Sequence, residues 1–169
     1  MTIKIRIAQL EDLEPLAELF NAYRQFYEET SDIGLARRFL QDRLNNKDSI
    51  IFVAESAVDE NSVHTNQAQK LIGFCQLYPT FCSVLAAPIC VLYDLFVDVN
   101  IRKSGAGKAL MLTAHEYAAE NGYVRLDLTT AKTNLTAQSL YESLGWVRDD
   151  VFYTYNKTIT QVCFLKDFS

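Results

Sequence analysis

A short turn rich in glycine and basic residues has the clearest potential for chemistry in this sequence. It consists of Arg102, Lys103, Ser104, Gly105, Ala106, Gly107 and Lys108. The two glycines would let an anion approach the backbone closely, and a helix that begins here would present amide N–H groups that have no partner within the helix. Because three basic side chains add positive charge, the turn predicts a site for a diphosphate group.

Two common nucleotide-binding patterns do not fit this turn. The dinucleotide-binding fingerprint would place its third glycine where Leu110 stands. The P-loop pattern would need a Ser or Thr in place of Ala109 and a glycine in place of Arg102. The sequence therefore disfavours both of these nucleotide-binding folds.

The turn instead resembles the acetyl-CoA motif of the GNAT superfamily of N-acetyltransferases. That motif runs Arg or Gln, two residues, Gly, one residue, and Gly or Ala, and it is matched by Arg102, Gly105 and Gly107. A second stretch closely resembles the family's other signature, which joins an Asn, an Ala, an aliphatic-Tyr pair and a Gly-aromatic pair. Its members here are Asn134, Ala137, Leu140, Tyr141, Gly145 and Trp146. The resemblance in element order covers nearly the whole chain.

The resemblance implies an α/β fold of the mixed α+β kind, in which helices flank a central, mostly antiparallel, twisted sheet. It also implies acetyl-CoA as the cofactor and N-acetyl transfer as the activity. By the same resemblance, backbone N–H groups near Phe96 and Val97 would meet the thioester and the pantetheine arm. The Asn134 side chain would hydrogen-bond that arm, and helix capping is its alternative role.

Tyr141 stands where the family commonly has its general acid. A phenol with a pKa of about 10 can donate a proton to a sulfur leaving group whose pKa is about 8.5. Ala137, Tyr141 and Leu144 also lie on one predicted helical stripe, so packing in the core is the alternative role of this ring. The two roles are compatible.

Asp94 interrupts the most continuous apolar run of the chain, which extends from Ile89 to Val99. A carboxylate is costly to bury among apolar side chains, and burial raises its pKa toward a value that suits a general base. In the family that the motifs resemble, acids on this strand often serve as the base or bind the acceptor's ammonium group. A structural hydrogen bond or ion pair is the alternative role of Asp94.

The family resemblance also implies an acceptor pocket, built by the first two helices and the middle strands. The corresponding residues are Tyr23, Tyr27, Asp32, Gln76, Tyr78 and Asp94. Aromatic and acidic side chains together suit a cation, so we expect a primary amine: a small or polyamine-like amine, or a lysine or N-terminal amine.

An alternative hypothesis is a domain that binds acetyl-CoA as a sensor or assembly partner without turnover. Late strands in such folds often pair across a dimer, which predicts a homodimer.

Composition and charge narrow the class of protein further. A chain of 169 residues is the usual size of one domain, and the prediction is a single domain over residues 1–169. The net charge of -5 argues against a nucleic-acid partner, since such proteins neutralise phosphates with clustered Lys and Arg. No apolar run approaches the length of a membrane span, and the first residues lack a signal pattern, so a cytoplasmic location is expected.

Neither the cysteines nor the histidines indicate a metal site. Cys75, Cys82, Cys90 and Cys163 form no C-x-x-C pair, and they are predicted to be free thiols that pack as small apolar groups. His64 falls in a polar stretch and His115 in the middle of a predicted helix, so neither is assigned a role in the chemistry. No metal is therefore expected.

Hydrophobic periodicity predicts the elements that position these residues. Alternation predicts strands over residues 3–7 and 124–128, two stretches flanking a polar segment predict paired strands over 49–54 and 71–78, and the apolar run predicts a strand over 89–99. Helical spacing predicts helices from about Leu13 to Tyr27, from Asp32 to Asn46, from Gly105 to Asn121 and from Asn134 to Leu144. A polar loop is expected from Asp59 to Gln69. Two late strands are expected, around Val147 and over 152–155, with a further candidate over 160–165.

Overall fold

A computed structural model describes residues 2–56 and 70–159. These residues belong to two compact units, Met1–Thr129 and Thr130–Ser169, and each unit is described by itself. The predicted loop over residues 59–69 with His64, the candidate strand over 160–165 and Cys163 lie outside the described residues. The single domain over residues 1–169 stays a prediction.

The first unit contains a five-stranded mixed sheet. Its strands are β1 (Ile3–Ile7), β2 (Ile50–Ser56), β3 (Lys70–Cys82), β4 (Ala87–Val97) and β5 (Leu126–Asp127). They lie in chain order, and the first four pair antiparallel, whereas β5 pairs parallel to β4. The mostly antiparallel mixed sheet that the sequence predicts is therefore present.

Four α-helices accompany the strands in the described residues. Three lie in the first unit, α1 (Leu13–Phe26), α2 (Ile33–Asn46) and α3 (Ala106–Glu120), and α4 (Leu135–Ser143) lies in the second. The helix α2 begins where the sequence predicts, because the Asp32 carboxylate accepts a hydrogen bond of 2.8 Å from the Leu35 amide. It ends at Lys47, which adopts a left-handed conformation with φ of 53°.

The two sides of the sheet are covered by different helices. On one side, Phe74 of β3 and Phe96 of β4 join an apolar core with Leu16, Phe20 and Leu40 of the helices α1 and α2. Neighbouring strand residues point the other way. There the Cys75 thiol lies 3.8 Å from the Leu110 carbonyl, and Phe52 contacts Tyr117 edge to face, so α3 covers this side.

A close approach between β3 and β4 depends on Gly73. A Cβ atom at this position would lie 2.7 Å from the carbonyl oxygen of Phe96, a separation that a side chain cannot adopt without movement. The glycine therefore lets the two strands pack tightly where β4 leads toward the turn of residues 102–108, the predicted phosphate turn.

The second unit corrects the prediction of two late strands. Within its described part, residues 130–159, no strand is present around Val147 or over residues 152–155. The Asp149 carboxylate instead accepts hydrogen bonds from the amides of Val151 and Phe152, at 2.8 and 3.1 Å. Such a local side-chain turn competes with strand pairing for these two amides, at the start of the stretch over which the second late strand was predicted.

The cysteines of the described residues are free thiols, as the sequence predicts. Cys75 and Cys90 are buried and Cys82 is partly buried. Among the helices of residues 2–56 and 70–159, none is both long and apolar enough to cross a membrane.

Candidate active site

The phosphate turn forms the start of α3. Gly105 precedes the helix in a left-handed conformation, with φ of 90°. A Cβ atom built on it would meet no heavy atom within 4 Å, so the backbone is open to the surroundings at this point. Ser104 supports the turn, since its hydroxyl accepts a hydrogen bond of 3.4 Å from the Ala106 amide. Conformation, and not lack of space, therefore requires the glycine.

The basic side chains of the turn are available for an anion. Arg102, Lys103 and Lys108 are all exposed, and Lys103 also adopts a left-handed conformation, with φ of 63°. The first amide groups of α3 have no partner within the helix, as at any helix start. A diphosphate group fits this combination of open backbone, helix start and positive charge.

Arg102 has a partner that the sequence did not reveal. Its guanidinium carbon lies 5.5 Å from the centre of the Phe26 ring, at the last residue of α1. This cation–π contact holds the end of α1 beside the phosphate turn. The only signal in the sequence is an aromatic residue at the end of an amphipathic helix, which does not indicate a partner so distant along the chain.

Asp94 is buried on the side of β4 that faces α1 and α2. It is 6% exposed, and burial raises the pKa of its carboxyl group to about 6. The Tyr23 hydroxyl donates a hydrogen bond to the carboxylate and opposes part of this rise. The structure thus gives Asp94 the raised pKa that the sequence predicts.

Gln76 of β3 lies directly opposite Asp94 in the strand register. It is fully buried, and its amide nitrogen donates a hydrogen bond of 2.7 Å to the Ser49 hydroxyl. Its amide oxygen has no hydrogen-bond partner within residues 2–56 and 70–159. The register changes immediately beyond this pair, and Tyr93 is the extra residue of a bulge in β4.

Aromatic rings surround the carboxylate. The Tyr23 ring contacts Phe74, Phe96 and Tyr27, with ring centres 5.2 to 6.1 Å apart. Tyr78 and Tyr93 pack edge to face at 5.7 Å. Burial and the nearby charge of Asp94 both raise the pKa of the Tyr78 hydroxyl. Tyr23, Tyr27, Gln76, Tyr78 and Asp94 therefore form one cluster, of which Tyr27 is the most exposed member.

Asp32, which the sequence also assigns to the acceptor pocket, has a structural role. Its carboxylate caps α2, and its backbone amide donates a hydrogen bond of 2.9 Å to the Asn21 side chain. These bonds fix Asp32 at the start of the helix. Ser49, in contrast, contacts the cluster through Gln76 although the sequence analysis did not select it. A polar residue just before an apolar strand is too common to single out.

An open cleft of about 1130 Å³ lies between α1 and the ends of the neighbouring strands. Its apolar wall includes Leu19, Phe26, Leu71, Phe96 and Val99. An ion pair of 3.7 Å between Lys70 and Asp98 lies at its rim. Phe96 thus contributes both to this cleft and to the aromatic cluster around Asp94, while Val97 at the end of β4 pairs with Gly73.

The second signature lies in the second unit. Asn134 caps α4, since its side-chain oxygen accepts a hydrogen bond of 3.3 Å from the Ala137 amide. The half-buried Tyr141 ring lies 6.2 Å from the Trp146 ring, and the Trp146 amide donates a hydrogen bond of 3.1 Å to the Tyr141 carbonyl. The motif residues therefore hold one another in place within this unit. The capping role predicted as an alternative for Asn134 is present.

Comparisons with known proteins agree with these features. The family model described as Acetyltransferase (GNAT) family matches residues 16–146. The chain is 43% identical to an uncharacterized N-acetyltransferase of Bacillus subtilis, YhfO, over 90% of this chain and 95% of the relative. It is 30% identical to a probable acetyltransferase of Haemophilus influenzae over 85% of this chain and 90% of that relative.

A solved structure gives the same result. The crystal structure of a probable acetyltransferase is 35% identical and superposes with a TM-score of 0.81, covering 94% of this chain and 99% of the other. The family model spans both motifs, and the relatives match almost end to end. The chain therefore belongs to the GNAT family of acetyltransferases.

Proposed function

We propose that this chain is an acetyl-CoA-dependent N-acetyltransferase whose acceptor is a primary amine. The observation that carries the proposal is the buried carboxylate of Asp94 within an aromatic cluster, on the strand that leads into the phosphate turn. A carboxylate among aromatic rings suits an ammonium group, and an anion site follows on the same stretch of chain.

The donor is proposed to bind with its diphosphate at the turn from Arg102 to Lys108. The left-handed Gly105, the open space beside it and the exposed basic side chains support this assignment. By likeness to the family motifs, Phe96, Val97 and Asn134 would contact the thioester and the pantetheine arm. When bound, acetyl-CoA supplies a thioester carbon that an amine nitrogen can attack.

Asp94 is the proposed general base, directly or through a water molecule. An ammonium group has a pKa of about 10, so transfer of its proton to an ordinary aspartate of pKa near 4 is strongly uphill. A pKa of about 6 for Asp94 reduces that gap by about two units, or about 3 kcal/mol. The carboxyl group is still mostly ionised at neutral pH, so it remains able to accept the proton.

Tyr141 is the proposed general acid. As the carbon–nitrogen bond forms, the carbon–sulfur bond breaks and the leaving thiolate takes up a proton. A phenol is matched to a thiolate of pKa about 8.5, and the family motif places a tyrosine at this position. Counted from the ammonium group, the nitrogen loses two protons, one to Asp94 before the attack and a second as the amide forms. The sulfur gains one proton, and one is released to solvent.

The acceptor is proposed to enter the cluster of Tyr23, Tyr27, Gln76, Tyr78 and Asp94. Because Asp32 caps α2, we assign the cation to Asp94 rather than to Asp32. A small or polyamine-like amine and a lysine or N-terminal amine of a protein are the two acceptor classes that this chemistry accommodates. Family membership does not distinguish between them, since the relatives described above carry no acceptor in their names.

Release of free CoA from acetyl-CoA tests the function. The panel contains spermidine, benzylamine, a lysine peptide with a blocked N-terminus and a lysine-free peptide with a free N-terminus, and a thiol dye detects the product. We expect turnover with at least one amine, and a fall of about 100-fold in kcat for Tyr141→Phe with the affinity for acetyl-CoA kept. A non-catalytic acetyl-CoA-binding domain would show thermal stabilisation by acetyl-CoA and no CoA release from any amine.

A homodimer is proposed as the state in solution. Its support is the row of apolar side chains after α4, where Val147, Val151, Phe152, Tyr153 and Tyr155 are all highly exposed. Exposed apolar groups in such number mark an interaction surface more often than a free one. Light scattering decides between the dimer and a monomer by the mass of the particle.

A further inference from the structure

Two hydrogen-bond acceptors meet between β3 and β4 in the cluster described above. Gln76 and Asp94 are opposite each other in the register, so their side chains leave the sheet on the same side and about 5 Å apart at Cβ. Both residues are buried, at 0% and 6% exposure. The site therefore presents an amide oxygen and a carboxylate side by side in a place with little access to bulk water.

The amide oxygen of Gln76 has no partner in the described residues, although the atom is buried. Leaving a buried acceptor unpaired costs about 1–3 kcal/mol, so such an atom in a folded protein calls for an explanation. The Asp94 carboxylate has capacity left as well, because Tyr23 occupies only one of its several lone-pair directions. What the pair lacks is a group that donates two hydrogen bonds.

Ser49 contacts the end of the Gln76 amide that lies opposite the unpaired oxygen. The Ser49 hydroxyl accepts a hydrogen bond of 2.7 Å from the Gln76 amide nitrogen. The amide oxygen points away from Ser49 and is left without a partner among the described residues. Ser49 precedes β2 and lies on the same side of the sheet, since Ile51 pairs with Gln76 and side chains two residues apart share a side. In this orientation the amide nitrogen, and not the oxygen, faces Ser49.

We infer that Gln76 is a substrate-positioning residue, whose amide oxygen accepts one N–H of the acceptor amine while Asp94 accepts another, and that Ser49 holds the amide in this orientation. The amine would enter beside the bulge at Tyr93, where Tyr93 is 70% exposed and its partner Tyr78 is half-buried. The inference deepens the proposed function, on which it rests.

The arrangement selects for primary amines by the number of N–H groups. An ammonium group from a primary amine has three, and after one proton passes to Asp94 the neutral nitrogen keeps two N–H groups and one lone pair. Two acceptors then hold the two N–H groups, and the lone pair is left to form the bond to the acyl carbon. A neutral secondary amine has a single N–H, so one buried acceptor would stay unpaired, which sites of this kind penalise strongly.

The experiment compares the panel amine that binds most tightly with its N-methyl derivative, as ligands by calorimetry and as substrates by CoA release. We expect the wild-type protein to prefer the primary amine by about 10-fold, and Gln76→Met to reduce this preference to about 3-fold or less. Methionine keeps the length of the side chain and removes the acceptor. Gln76→Glu restores an acceptor and should restore the preference.

Ser49 provides the matched pair of variants. Ser49→Ala should raise the KM of the amine several-fold while the KM of acetyl-CoA is kept, and Ser49→Thr, which retains the hydroxyl, should behave like wild type. A purely structural role would change stability in these variants without changing the preference for primary amines.

An unchanged preference in Gln76→Met, or a wild-type protein that binds no panel amine, would overturn the inference. Binding that discriminates between the two amines, without any CoA release, would keep it and reject the transferase.

Discussion

The Tyr23 hydroxyl on α1 donates a hydrogen bond to the Asp94 carboxylate on β4. This single contact joins α1, which contributes to the proposed acceptor pocket, to the strand that leads into the turn of residues 102–108. It also sets the charge state of Asp94, because the bond lowers a pKa that burial raises. The following predictions on Asp94 depend on this balance between burial and one hydrogen bond.

Tyr23→Phe should shift the pH dependence of turnover. A general base must be ionised, so kcat/KM should rise with pH through the pKa of Asp94, about 6 in the wild-type protein. Removing the hydroxyl leaves only the effect of burial, so this rise should move to higher pH and kcat/KM at pH 6 should fall by about 3-fold. Tyr117→Phe is the control, because Tyr117 contacts Phe52 on the other side of the sheet. Superimposable profiles for the wild-type and Tyr23→Phe proteins would contradict the prediction.

Asp94→Asn should increase stability and abolish turnover. The folded protein binds the Asp94 proton more tightly than the unfolded chain, with a pKa of about 6 against 3.8, so ionisation opposes folding. The free energy of unfolding should therefore fall as pH rises from about 4 to 6, and the full loss, at most about 3 kcal/mol, persists above pH 6. Asparagine removes the ionisation and can still accept the hydrogen bond from Tyr23.

Urea unfolding of both proteins at pH 4.5 and 7.5 measures this effect. The difference in the free energy of unfolding between variant and wild type should favour the variant more at pH 7.5 than at pH 4.5. Taking the difference cancels the contributions of other groups, such as Asp12, whose pKa is lowered mainly by its hydrogen bond with Arg6. A difference that is the same at both values of pH would show that Asp94 does not ionise in a buried site.

Local patterns predicted the elements of the first unit well, since each depends on neighbours in the sequence. Alternation located β1, an apolar stretch located β2, and the Asp32 cap located the start of α2. The short turn over Leu10–Asp12 was missed, because it is held by the ion pair of Asp12 with Arg6, and ion pairs between separate elements leave no periodic signal. The late strand over residues 152–155 failed for a different, local reason: the Asp149 side chain accepts hydrogen bonds from the Val151 and Phe152 amides, and this turn competes with strand pairing.

Of the candidate site, the sequence could predict only the residues that belong to motifs and the polar residues that stand out within apolar stretches. Gly105 and Tyr141 follow from motifs, and Asp94 follows from a charge within an apolar run. Ser49 and Phe26 do not, because each acts through a partner distant along the chain, Gln76 and Arg102 respectively. Pairing between distant segments is a property of the fold, so residues of this kind become visible only once the strands and helices are placed.

Phe26→Leu should weaken the binding of acetyl-CoA. The Phe26 ring holds the Arg102 guanidinium by a cation–π contact, which is worth about 0.5–1 kcal/mol at an exposed site. The KM of acetyl-CoA should therefore rise by about 2- to 5-fold while kcat changes little. Phe81→Leu is the matched control, since Phe81 is 79% exposed on β3. Equal values of KM for both variants would remove Phe26 from the donor site.

Gly73→Ala should destabilise the fold, whereas Gly34→Ala should not. The new Cβ at residue 73 would lie 2.7 Å from the Phe96 carbonyl oxygen, and because both partners belong to the backbone of the sheet, the strands must separate. Overpacking of this kind costs about 1–3 kcal/mol.

Gly34→Ala is the control. At Gly34 the nearest atom is a guanidinium nitrogen of Arg38, 3.3 Å away at the end of a flexible side chain. Alanine also favours the helix by about 0.5–1 kcal/mol. Urea unfolding should therefore move the two midpoints in opposite directions, and a shift of the same sign for both would show that the approach of β3 to β4 does not depend on Gly73.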